Sequence, residues 1–170
     1  SIVLGNIAAN LVDRGKNVLL ISLEMPELLY ARRICSNVTK IPQKELGQNI
    51  ATLRKLIGEQ NNSGKGRLLI KEFPPSTVTC NQLKVFIQRI IDSGTRIDAI
   101  VLDYLNLMHT TIGANSYERV KHIAEQFRAL TYHFNCPGIT ASQLSRSAMG
   151  VANPGMETIS ESYATGCTSD

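Results

Sequence analysis

Tryptophan is absent from the 170 residues, and phenylalanine and tyrosine together make up only 5% of them. Broad aromatic platforms of the kind that stack a single nucleic-acid strand are therefore scarce, and any strand binding must lean on charge. Long apolar runs are missing too: none approaches the roughly 20 residues of a membrane span, and no charged segment leads into a signal-peptide core. A soluble cytoplasmic protein with no membrane partner is expected. Cys35, Cys80, Cys136 and Cys167 are widely spaced, with neither a CxxC pair nor a Cys/His cluster, which argues against a zinc site and for reduced thiols. His109, His122 and His133 share no ligand spacing. Ser142 and Ser145 stand in no GxSxG elbow, which argues against a serine hydrolase. Gly64-Lys65-Gly66 lacks the GxxxxGK[ST] frame of a phosphate loop. Basic residues exceed acidic ones by only four, which permits an anionic partner without requiring one.

What remains has the composition of a folded domain, 43% hydrophobic and 19% charged. Apolar spacing predicts a helix from Ile2 to about Arg14, stopped by Gly15, and then a buried strand over Asn17 to Leu23. A helix follows from Pro26 to about Asn37, with Leu28, Leu29, Arg32, Ile34 and Cys35 suiting its partly buried side. Another is expected from Lys44 to Gln60, before the polar loop NNSGKG. A strand over Gly66 to Phe73 and an amphipathic helix from Cys80 to Ile91 come next. The most apolar strand, Asp98 to Met108, leads through HTTIGA to a long helix capped by Ser116 and running to about Phe134. Cys136 to Ser142 reads as the last strand, and Ser145 to Glu157 as irregular. Strands alternating with helices predict an α/β fold with a mostly parallel sheet and ligand chemistry beyond the carboxyl ends of its strands.

Glu24, Asp103 and Gln143 all fall at such ends. An Asp closing an apolar strand can reach Mg²⁺, directly or through water, in nucleotide hydrolases, and can equally cap the next loop. Glu24 is placed to act as general base toward an attacking water, or to be a solvated loop acid. Gln143 both donates and accepts, so it can report on a terminal phosphate or satisfy buried backbone. Arg146, in the loop beyond it, can meet a phosphate backbone or simply be surface.

SLEM at Ser22 to Met25, IVLDYLNLM at Ile100 to Met108 and ASQLSR at Ala141 to Arg146 together resemble the ordered motif set of DnaB-type replicative helicases. NIAANL at Asn6 to Leu11 and ISES at Ile159 to Ser162 extend the likeness along nearly the whole chain. GRLLIKEFPPSTVTCNQLK and NSYERVKHIAEQFRAL resemble the tailed-phage version. The resemblance implies a RecA-like P-loop NTPase core that uses ATP and Mg²⁺. Glu24 then corresponds to the catalytic glutamate, Asp103 to the Mg²⁺-associated Walker B aspartate and Gln143 to the γ-phosphate sensor. Ser1 corresponds to the last residue of the phosphate loop and a Mg²⁺ ligand, and Arg146 to a DNA-contacting residue. It also implies a homo-hexamer on single-stranded DNA, with primase and helicase-loader partners. In these terms residues 1–170 read as a partial helicase ATPase domain. Its phosphate loop and first strand would lie upstream, and its arginine-finger region downstream. A RecA-like recombinase or clock-type ATPase, or a non-catalytic scaffold that has lost its nucleotide site, is the alternative. Two features depart from the family pattern: ATGCTSD near the end, and Gly138 where a bulkier strand residue is usual.

Overall fold

The structure, a computed structural model, describes residues 1–62 and 64–142. Its centre is a four-stranded parallel sheet of β1 (Val18–Ser22), β2 (Leu68–Glu72), β3 (Ala99–Asp103) and β4 (Gly138–Thr140), in the order β2-β1-β3-β4. Helices α1 (Ile2–Asp13), α2 (Glu27–Thr39), α3 (Ile50–Asn62), α4 (Cys80–Asp92) and α5 (Ser116–Phe134) connect and flank the strands. The expected α/β alternation is therefore present.

β1 and β3 are buried at every position, because both faces of the sheet are covered. Side chains alternate across a strand, so Leu19, Ile21, Ile100 and Leu102 meet α4 and α5 on one face. Val18, Leu20, Ala99 and Val101 meet α1 and α2 on the other. Each fully buried Leu, Ile or Val contributes about 1.5–3 kcal/mol of transfer free energy, and these two strands supply most such residues.

Several boundaries differ from expectation. The predicted strand Asp98 to Met108 ends at Asp103 and gives way to a 3₁₀ turn, Leu105–Leu107. The apolar run continues because Leu105 and Met108 enter the same core from this turn. The turn is held by Ser76 N donating to Leu107 O at 2.7 Å and His109 N to Val78 O at 2.9 Å. The helix expected from Lys44 begins only at Ile50. Before it, successive turns bond Glu45 N to Pro42 O and Gln48 N to Glu45 O, burying Leu46. Asn115 caps α5, its side chain accepting from Glu118 N at 2.8 Å, and Ser116 is the first helical residue. On α2, Tyr30 and Ile34 face the core, one turn apart, whereas Leu28 is 72% and Leu29 38% exposed. The other strands are shorter than predicted by one or two residues at each end.

Gly15, at φ +79°, follows the end of α1 as expected of a left-handed position. Gly64-Lys65-Gly66 has a packing role: Lys65 pairs with Asp13, and a Cβ at Gly66 would collide with the Lys16 backbone. Gly138 also has a steric reason, since a Cβ there would lie 2.8 Å from Phe127 Cε1 and closer still to Thr131 Cγ2, both on α5.

Candidate functional site

β1 sends its chain outward through α2 and α3 to β2, whereas β3 sends its chain through α5 to β4 on the opposite side. The winding direction thus reverses between β1 and β3, and in open α/β sheets ligands bind outside the carboxyl ends of the strands at such a point. The two strands pair in parallel with Ser22 opposite Asp103. Both therefore deliver their C-terminal residues to one rim.

The turn after β1 is fixed by Ser22, which is fully buried. Its hydroxyl donates to Met25 O at 2.7 Å and accepts from Met25 N at 3.0 Å, while Leu23 N donates to Asp103 O at 2.6 Å. Leu23 and Met25 are held in the core and Glu24 is turned out to solvent. Asp103 is the opposite case, only 1% exposed.

Ser1 lies between them. Its hydroxyl donates to Glu24 Oε2 at 3.1 Å, and its backbone nitrogen lies 3.6 Å from Asp103 Oδ1. Tyr30, also 1% exposed, completes the cluster: its hydroxyl lies 3.0 Å from Asp103 Oδ2 and 2.9 Å from the Ser1 carbonyl oxygen. Burial, and then the negative charge of Asp103, push the Tyr30 phenol well above its ordinary pKa of 10.0, so it remains a proton donor. An open cleft of about 440 Å³, with Asn6, Arg33, Asn37 and Gln43 in its walls, begins beside Ser1 and Tyr30.

Sequence reasoning placed Ser1, Glu24 and Asp103 at a common site, and the fold brings these three together. Gln143 and Arg146 lie outside the described residues. Sequence reasoning missed Ser22 and Tyr30, and also Thr140, whose hydroxyl donates to Leu102 O at 2.8 Å and accepts from Leu105 N at 3.2 Å where the chain leaves β3. It also missed Glu72, whose carboxylate accepts from Glu27 N at 2.9 Å and so serves the amino end of α2. Only Ser22 carried a signal, as a hydroxyl inside an otherwise apolar strand. Among the described residues no group of three or more His, Cys, Asp or Glu side chains could hold a metal by itself, and no helix is long and apolar enough to cross a membrane.

A parallel sheet flanked by helices, with a switch point between β1 and β3, defines the class of open, doubly wound α/β folds. Comparison with solved structures agrees on the fold. One solved ATPase domain superposes with a TM-score of 0.78 at 17% identity, over 98% of this chain and 63% of that one. A DnaB-like replicative helicase, solved in a study of its interactions with primase, gives 0.77 at 20% identity over 96% and 42%. Residues 1–165 match the DnaB-like helicase C-terminal domain, and the chain belongs to that family.

Among curated relatives, the DnaB-like replicative helicase of Enterobacteria phage T4 is 28% identical over the whole chain, which spans 38% of that protein. A "Probable plasmid replicative DNA helicase" of Chlamydia muridarum is 28% identical over 87% of the chain and 33% of its own length. The family match favours the helicase reading over the recombinase and clock-type alternatives.

Proposed function

We propose that the chain is the central part of the ATPase domain of a replicative DNA helicase, which couples ATP hydrolysis to translocation on single-stranded DNA and to duplex unwinding. The observation that carries this reading is the meeting of Glu24 and Asp103 around Ser1 at the switch point of the sheet. In this reading the phosphate loop precedes Ser1, and the site works in a cytoplasmic homo-hexamer that engages primase and a loader.

The donors at the rim are all oxygens, two carboxylates and a hydroxyl, which suits a hard cation such as Mg²⁺. They are too few to enclose one, as expected where the nucleotide's phosphates supply the other ligands. When bound, the cation would neutralise charge developing on the phosphates. Asp103 and Ser1 would hold it. Glu24, exposed at the rim, would take the proton from the attacking water at its carboxylate. Gln143 would sense the γ-phosphate, and Arg146, three residues on, would carry that state to a DNA phosphate.

The test is Glu24→Gln in the protein that carries this chain together with its phosphate loop. Turnover should fall by about 100-fold or more while ATP binding is kept, because only the base is removed. Undiminished turnover would contradict the role of Glu24. A parent with no turnover to lose would be the scaffold.

A further inference from the structure

Asp103 has two carboxylate oxygens in different surroundings. Oδ2 faces the buried Tyr30 hydroxyl at 3.0 Å, and Oδ1 lies toward Ser1 at the rim. We propose that Tyr30 is a positioning residue for the nucleotide site, its hydroxyl holding Asp103 Oδ2 so that Oδ1 stays presented to the rim where a nucleotide-bound divalent cation would sit. The inference rests on the nucleotide-site reading above.

Two observations carry it. The first is the hydrogen-bond count: the phenol has one proton and two acceptors in reach, the Asp103 carboxylate and the Ser1 carbonyl. The carboxylate is the stronger acceptor, so the proton goes mainly to Asp103. The Ser1 carbonyl, 2.9 Å from the same hydroxyl, is the competing acceptor, so the phenol stands between the residue before α1 and the last residue of β3, the two segments that in this reading share the cation.

The second is the close packing of α1 against the ring. A Cβ at Gly5 would stand 3.2 Å from Tyr30 Cε1 and 3.6 Å from Ile34 Cγ1, so the glycine is what lets α1 come this near to the ring. A tyrosine used merely as filling would not require its hydroxyl to end on a buried carboxylate, whose two oxygens a leucine or phenylalanine at position 30 would leave free to rotate.

Tyr30→Phe removes the hydroxyl and keeps the ring. In the protein that includes the phosphate loop, ATP affinity is measured by titration with saturating Mg²⁺ and again in EDTA. Partners that orient a cation-binding side chain are typically worth about tenfold or more in metal affinity. The variant should therefore lose about tenfold in Mg²⁺-supported ATP binding and keep its EDTA value. In the Asp103→Ala background, Tyr30→Phe should cost nothing further, since the carboxylate it holds is gone.

A lower urea midpoint with an unchanged ratio of Mg²⁺ to EDTA affinities would mean a purely structural tyrosine and overturn the proposal. So would simple additivity with Asp103→Ala. A parent that shows no Mg²⁺-supported ATP binding at all would overturn the nucleotide-site reading first, and this inference with it. The two failures are distinguished by whether the unmutated protein or only the variant comparison is at fault.

Discussion

Gly138 shows how a single position can look anomalous in sequence and be required in space. Glycine weakens a strand, yet any side chain here would press on Phe127 and Thr131 of α5. Gly138→Ala should destabilise the fold by about 1–3 kcal/mol, the usual cost of overpacking, measured by urea unfolding. Glu24 and Asp103 were legible because a charge that ends an apolar run stands out against it. Tyr30 was not. Its partners are 29 and 73 residues away in the chain, and its spacing on α2 is matched by that of Leu28 and Leu29, which point outward instead.

The helices and strands were legible from periodicity; their ends were not, because ends are settled by hydrogen bonds that periodicity does not report. α5 illustrates the point. Asn115 and Ser116 are both good capping residues, and the structure chooses Asn115. Asn115→Ala should therefore cost about 1 kcal/mol, while Ser116→Ala should be nearly neutral. Equal losses for the two variants in thermal or urea unfolding would contradict the assignment. The end of β3 was misread for a different reason. An apolar run signals burial, and the 3₁₀ turn at Leu105–Leu107 is buried as fully as a strand would be at Leu105. Just past the strand end the Leu105 N–H goes to the Thr140 hydroxyl at 3.2 Å rather than to a ladder partner.

At the scale of the molecule, the alternation of strands and helices made the parallel sheet legible, but not the strand order that puts the switch point between β1 and β3. The closed core also sets how stability depends on pH. Burial raises the Cys80 thiol to about 12 from 9.0, and raises Cys35, Cys136 and Tyr30 as well. A raised pKa means the folded state keeps a proton that the unfolded state releases. These contributions are complete below about pH 9 and are lost as pH rises through the thiol and phenol values. Unfolding free energy should fall from pH 9 upward, by at most about 1.4 kcal/mol per pH unit for each such group. Urea titrations at pH 8, 9 and 10 should show that fall, and Cys80→Ala should make it shallower; a flat profile would contradict it. The topology bears, finally, on how the chain is made. The N–H of Asn17, just before β1, bonds Asp98, 81 residues later, and Asn17 Oδ1 accepts from Arg67 N, 50 residues later. At a synthesis rate of about 5–20 residues per second, β1 would wait roughly 4–16 s for its β3 neighbour, apolar on both faces and unpaired along that edge. A nascent chain of this design has a long aggregation-prone interval, and a holdase that recognises extended apolar segments would have its natural target in residues 18–22.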